Sequence, residues 1–256
     1  MILMNNKKVA IRLSSVSKKF GMTPAVNNLS LDVYQGEFLT LLGPSGCGKT
    51  TLMNIIGGLI EADNQKILIN DKMLNSNNCL GYIFQTSRLM PWLTVFENVK
   101  LVCRDNNNIN NRVENILKDF GLKDFLNAYP NTISGGMRRR ASMARAFINN
   151  PEILLMDEPF VSLDQPAAEE LYKVLINYWK KNPTTIILIT HSVKEALLLS
   201  NRILFMTKRL GSILMDYKVK SLESILKIDN KKINNGKIGT NTLKLAEMYT
   251  EACING

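Results

Sequence analysis

Eight consecutive residues, Gly43-Pro44-Ser45-Gly46-Cys47-Gly48-Lys49-Thr50, constrain this chain more than any other stretch. They follow an apolar run, Phe38-Leu39-Thr40-Leu41-Leu42, that reads as a buried strand. They precede Thr51-Leu52-Met53-Asn54-Ile55-Ile56, which reads as a helix start. Strand, glycine-rich loop and helix in that order turn G-x-x-x-x-G-K-[ST] into a phosphate cradle. Glycines let successive backbone N–H groups curl around an anion, and the helix N-terminus adds its positive end. Lys49 supplies a point charge for the β- and γ-phosphates, and Thr50 a hydroxyl for Mg²⁺.

Three further stretches carry chemistry. Ile153-Leu154-Leu155-Met156 ends in Asp157-Glu158-Pro159, so two carboxylates lie at the C-terminal end of a strand. In an open α/β sheet that edge is where ligands bind. Asp157 is placed to hold Mg²⁺ and Glu158 to polarise the water that attacks a γ-phosphate. His191, the single histidine, follows the strand-like Thr185-Ile186-Ile187-Leu188-Ile189-Thr190 and is in reach of the same phosphate. Ser134-Gly135-Gly136-Met137 precedes a helical pattern and makes a second anion cradle. One phosphate seldom needs two such cradles from one chain. The pair makes sense if the second serves a nucleotide held by another subunit.

The pattern along the chain alternates strand and helix, which implies a mostly parallel sheet with helices on its faces. Strands are expected at 9–13, 29–33, 66–69, 80–84 and 203–206, with Gly21 and Asn27-Asn28 in the turn between the first two. Helices are expected at 95–103, 111–120, 135–147, 165–180 and 193–199. From residue 86 to 150 the pattern is helical, which reads as an inserted subdomain within a core of 9–85 and 151–216. The lysine- and asparagine-rich tail, 217–256, is expected to hold helices at 222–228 and 242–251.

Composition narrows the class. No stretch approaches the ~20 apolar residues that span a bilayer, and Met1-Ile2-Leu3-Met4 is too short for a secretion signal. The expectation is a cytosolic chain unless a partner holds it at a membrane. The four cysteines, Cys47, Cys79, Cys103 and Cys253, are widely spaced and read as reduced thiols. The formal net charge of +10 is compatible with nucleic acid, an anionic membrane face or an anionic ligand. It is mostly diffuse, with one cluster at Arg138-Arg139-Arg140.

These motifs, in this order, resemble the ATP-binding subunits of ATP-binding cassette (ABC) transporters over residues 9–216. Ser134-Gly135-Gly136-Met137 resembles the family's signature, Gln85 the Q-loop glutamine and Ser162-Leu163-Asp164 the D-loop. His191 matches the switch histidine, and Phe20 the aromatic that stacks on adenine. The resemblance implies a P-loop NTPase (RecA-like) α/β core, with antiparallel β strands on the N-terminal side and an inserted α-helical subdomain. It implies ATP and Mg²⁺ as ligands, with Thr50, Gln85 and Asp157 around the metal and Glu158, His191, Lys49 and Gln85 serving hydrolysis. It also implies a head-to-tail homodimer in which each ATP touches residues 43–51, Thr51 included, of one subunit and 134–137 of the other. Gln85 joins the core to the helical subdomain and is placed to transmit closure.

A narrower resemblance, to importers of nitrate, sulfonates and taurine, is carried by Phe84-Gln85-Thr86-Ser87-Arg88-Leu89-Met90-Pro91-Trp92-Leu93-Thr94-Val95, by the Ser-Gly-Gly-Met signature and by Lys208-Arg209-Leu210-Gly211. Leu89, Met90, Pro91 and Trp92 would suit a short helix of a membrane permease. An extracytoplasmic solute-binding protein is implied indirectly, nucleic acid is not expected, and the cytoplasmic membrane face is the implied location. Two departures stand out: Ala62-Asp63-Asn64-Gln65 replaces a Pro-Thr-Ser-Gly turn remote from the chemistry, and Ser192 stands where aspartate is common. Competing readings are an ABC ATPase for another cargo, by export or lipoprotein release, and a soluble ABC ATPase acting on nucleic acid or ribosomes.

Overall fold

The computed structural model describes residues 8–64, 67–73, 80–105, 107–161, 163–207 and 211–219. In chain order the elements are β1 (Val9–Phe20), β2 (Thr23–Tyr34), β3 (Phe38–Leu42), α1 (Lys49–Ile56), β4 (Ile67–Ile69), β5 (Lys72–Met73), β6 (Leu80–Ile83) and α2 (Val95–Lys100). They continue with α3 (Ile109–Asp119), α4 (Gly135–Phe147), β7 (Ile153–Asp157), α5 (Gln165–Lys181), β8 (Thr185–Thr190), α6 (Val193–Leu199), β9 (Arg202–Met206) and β10 (Ile213–Lys218). The two helices expected in the tail lie outside the described residues. Internal contacts divide the chain into two units, 1–78 with 185–256, and 79–184. The second therefore takes in β6, β7 and α5, whereas the sequence pattern places the helical subdomain at 86–150.

In the first unit β3 and β8 are buried along their whole length, and so is β9. Strands covered on both faces read as continuous apolar runs and pair in parallel. β3 accordingly lies parallel between β8 and β9, while β10 returns antiparallel along β9. The register sets Leu42 beside both Thr190 and Phe205, so the chain leaves β3 into the 43–50 loop next to the end of β8 that carries His191. The helix α6 packs Ala196 and Leu197 onto Leu42, Ile203 and Phe205. A separate antiparallel sheet has the order β2-β1-β4-β5.

The long β1–β2 hairpin differs from the sequence expectation. Asn27 and Asn28 lie within β2, and the reversal falls at Gly21 and Met22, where Gly21 takes φ 59°. The misleading signal is physical. This hairpin carries register shifts between Leu13 and Lys19, with Ser15 and Asn28 both at positive φ, so asparagine serves a bulged strand instead of a turn.

In the second unit β6 and β7 pair in parallel, Leu80 with Ile153 through Ile83 with Met156. A shared aromatic cluster joins the ends of two helices to α5. Phe147 at the last position of α4 lies 4.4 Å from Tyr178 and 5.9 Å from Phe120, ring centre to ring centre. Phe147 and Phe120 are fully buried. The loop before α2 is organised by Asn98, a buried amide that accepts from the Met90 N–H at 2.7 Å and donates to the carbonyls of Met90, Leu93 and Thr94. Thr94 and Glu97 close a reciprocal capping box at the start of α2.

Candidate functional site

In the first unit the chain turns tightly after β3. Gly46 and Gly48 take φ 80° and 93°, the left-handed region that a side chain disfavours. Space is equally restrictive. A Cβ on Gly48 would sit 2.1 Å from the Ala25 carbonyl oxygen, and one on Gly43 would sit 2.8 Å from Cys47 Sγ. Gly48 stands at the N-cap of α1 in the left-handed region, with no side-chain cap hydrogen bond. The buried Lys49 ammonium donates to the carbonyls of Gly43 and Pro44, each at 2.8 Å, and lies 3.5 Å from Cys47 Sγ. Ser45, Gly46 and Thr50 are exposed, Pro44 and Thr51 half-buried. The loop thus holds the Lys49 ammonium against two of its own carbonyl oxygens.

His191 is exposed at the end of β8. The hydroxyl of Thr190 accepts from the Ser192 N–H at 3.0 Å and donates to the Glu195 carboxylate. Ser192 caps α6 by accepting from Glu195 N–H at 3.2 Å. Serine therefore does capping work in the place where aspartate is common, and the turn carrying His191 is pinned on both sides. Phe20 is half exposed at 52% at the end of β1, with Lys18 Nζ 5.9 Å from its ring centre. An exposed aromatic of this kind suits base stacking better than a core role.

The turn at 62–64 proves to be bound to the strand carrying Phe20. Asp63 accepts from Lys18 Nζ at 3.0 Å and Lys19 N–H at 2.8 Å, while Asn64 accepts from Ser17 N–H at 2.7 Å and donates to the Ser15 carbonyl. The hydrogen bond from Lys18, then that from the Lys19 backbone, holds the Asp63 carboxyl below its ordinary pKa.

In the second unit the carboxylates close β7. Asp157 is buried, and Glu158 follows it at φ 43°. A left-handed glutamate is uncommon and marks a position held by its surroundings. One such hold is Gln85, whose amide donates to Glu158 Oε2 at 3.0 Å. Tyr82 stacks on Phe84 at 4.1 Å; burial first, and then the charge of Asp157, push its hydroxyl well above the usual phenol range. Among the described residues no group of three or more His, Cys, Asp or Glu forms a metal cluster. A Mg²⁺ ion fits the donors present in a different way, since it takes one or two protein oxygens and completes its shell with phosphate and water.

Ser134 and Gly135 are exposed at the start of α4, where the Ser134 hydroxyl accepts from Met137 N–H at 3.2 Å; Gly136 and Met137 are half-buried. Asp164 caps α5 by accepting from Ala167 N–H at 2.9 Å. Ser162 lies outside the described residues. The structure brings Gln85 and Glu158 together, which their separation in the chain conceals. It also reveals two residues that sequence reading passes over. Arg139 and Arg145 of α4 donate to carbonyls of the Gln85 segment. The basic run at 138–140 signals Arg139 alone, and nothing in the sequence pattern singles out Arg145.

A family model described as ABC transporter matches residues 26–161. An uncharacterized ABC transporter ATP-binding protein of Methanocaldococcus jannaschii is 41% identical over 215 residues, covering 80% of each chain. An aliphatic sulfonates import ATP-binding protein, SsuB, of Bacillus cereus is 39% identical over 212 residues, covering 80% of this chain and 84% of its own. Among solved structures, the dimeric post-hydrolysis state of the ATP-binding cassette MJ0796, bound to ADP and Pi, is 30% identical with a TM-score of 0.73, covering 82% of this chain and 99% of that one. The cbiO1 protein of Clostridium perfringens, part of the cbiONQ transporter complex, shares the fold at a TM-score of 0.76 and 21% identity, covering 95% and 98%. With its phosphate loop, paired carboxylates and signature helix in the family's order, the chain belongs to the ABC transporter family of ATPases, as an ATP-binding subunit resembling those of the sulfonate import group.

Proposed function

We propose that this chain is the ATP-hydrolysing motor of an importer for a small anionic or zwitterionic solute such as nitrate, a sulfonate or taurine. The observation that carries the hydrolytic part is the hydrogen bond from Gln85 to Glu158, a carboxylate kept at a strained backbone position immediately after the buried Asp157; the import part rests on the 39% identity to an aliphatic sulfonates import ATP-binding protein. A carboxylate with one oxygen oriented by an amide is suited to draw a proton from an attacking water. Lys49 and residues 43–51 bind the phosphates, with His191 as the contact to the γ-phosphate and Phe20 under the base. Thr50 and Asp157 would hold Mg²⁺, with Gln85 beside it. When bound, that ion neutralises phosphate charge.

Two cradles in one chain support a head-to-tail homodimer, in which residues 134–137 and Asp164 complete the site of the opposite subunit. The ATP-binding cassette of 30% identity is dimeric, which supports a dimer here. Among the described residues no helix is long and apolar enough to cross a membrane; a peripheral place on a permease at the cytoplasmic face is supported by the similarity to an aliphatic sulfonates import ATP-binding protein. The docking surface is Pro91 and Trp92, the latter 70% exposed, with the half-buried Leu89 and Met90 behind them. In that arrangement residues 86–150 act as a helical subdomain and 217–256 as a basic tail.

The net charge of +10 favours one second reading, an ABC ATPase working on nucleic acid or ribosomes. Fractionation separates the two. The chain should sediment with membranes when a cognate permease is co-expressed and remain in the supernatant when it is not. Permease-independent binding to DNA or ribosomes that weakens steeply with salt would replace the transport reading.

A further inference from the structure

Helix α4 carries four arginines along its length, and they divide by what they hold. Arg138 donates to the carbonyls of Pro130 and Ile133, at the approach to its own helix. Arg140 pairs with the exposed carboxylate of Glu170. Arg139 and Arg145 instead reach one other segment. The two terminal nitrogens of Arg139 donate to consecutive carbonyls, Phe84 at 2.6 Å and Gln85. Those of Arg145 donate to Arg88 at 2.8 Å and Ser87 at 3.0 Å. The segment adds its own lock: Arg88, at φ 44°, lays its guanidinium 3.7 Å over the Phe84 ring.

Arg139 is a costly residue for this place. It is 6% exposed, its recorded partners are neutral backbone oxygens, and burial draws its pKa below the ordinary value. A buried cation is normally offset by a carboxylate. What a guanidinium offers here is geometry. Its planar fork fixes two successive carbonyls at once, which sets the orientation of the peptide between Phe84 and Gln85. The direction in which the Gln85 side chain leaves the backbone follows from that peptide, and its amide ends on Glu158 at 3.0 Å.

We propose that Arg139 is a positioning residue that ties the end of α4 bearing Ser134 to Gln85, and through Gln85 to Glu158. A shift of that helix end is then passed to the water-orienting carboxylate of the same chain. The inference rests on the dimer reading above, in which that helix end touches the nucleotide of the opposite subunit. Its consequence is that filling one site prepares the other.

The test uses the full chain with ATP and Mg²⁺, comparing wild type with Arg139→Met and Arg139→Lys. Measured together are melting temperature, affinity for a fluorescent ATP analogue under dilute conditions, kcat, KM and the Hill coefficient for ATP. Arg139→Met should lower kcat about ten-fold or more, the loss expected when charge-assisted hydrogen bonds stop positioning a reactive group. Analogue affinity should stay within about two-fold, since Lys49 and its loop are untouched, and the Hill coefficient should fall toward unity. Arg139→Lys, a single donor in place of a fork, should lie between the two.

Wild-type kcat and Hill coefficient in Arg139→Met would overturn the proposal. So would losses of kcat and analogue affinity that run in parallel with a fall in melting temperature. If Arg139→Met does not fold, Arg139→Lys decides alone, and unchanged kcat and cooperativity in it would overturn the proposal. A wild type with a Hill coefficient of one, and activity per mole independent of concentration, would instead remove the dimer reading.

Discussion

Glu158 joins three properties that rarely meet in one residue: a left-handed backbone, a place directly after a fully buried strand, and a carboxylate oxygen bound by an amide. Holding a non-glycine residue there costs roughly 1–3 kcal/mol, so the surroundings, and not the local sequence, keep it in place. Its role can be isolated by Glu158→Gln, which preserves length and hydrogen bonding but removes the basic oxygen. ATP binding should persist, hydrolysis should fall by about two orders of magnitude or more, and a nucleotide-bound dimer should accumulate, visible by size-exclusion chromatography with ATP. Unchanged steady-state turnover would refute the assignment. At the same scale, Cys47 is 1% exposed beside Lys49, so its thiol belongs to the packing of the loop. An alkylating reagent reaches it only when the loop opens.

At the scale of elements, the aromatic cluster of Phe120, Phe147 and Tyr178 is what joins α4 to α5 and the end of α3. Phe147→Ala should lower the unfolding free energy by about 3–5 kcal/mol, the cost of an emptied aromatic site. Denaturant unfolding would measure it, and a change below about 1 kcal/mol would mean that the cluster relaxes around the gap. Elements with a strong apolar period were legible in the sequence: α4 and α6 begin and end where the pattern places them, and so does β8. Others were not. β10 mixes Leu214 into its exposed side and so lacks clean alternation, and β1 and β2 hide their length behind bulges and asparagines. The loop glycines and both carboxylates were readable because their chemistry is local to a few residues. Asn98, Arg139 and Arg145 were not, because a polar residue in a helical pattern is normally solvated, and here their partners are backbone oxygens that no side-chain pattern records.

For the whole molecule, the proposed dimer, in which residues 134–137 of one subunit complete the site formed by residues 43–51 of the other, predicts that an isolated subunit is half of an enzyme. Specific ATPase activity should therefore rise with protein concentration and fall toward a low floor on dilution below the point at which monomers predominate, as for any site completed by association. A steady-state assay across a dilution series checks this, and a flat specific activity would contradict it. The phosphate loop also depends on chain far from it. A Cβ on Gly211, at φ 52°, would lie 2.2 Å from the Ala25 carbonyl oxygen, the same atom that excludes a side chain at Gly48. One strand carbonyl is thus the shared wall of two glycines drawn from opposite ends of the first unit. In evolutionary terms the two positions are not free to drift singly. A lineage that acquires a side chain at 211 must first move the strand carrying Ala25, and moving that strand releases the constraint on the nucleotide loop. Gly211 lies far along the chain from the glycine-rich loop, yet a side chain there would press on the same strand that confines Gly48.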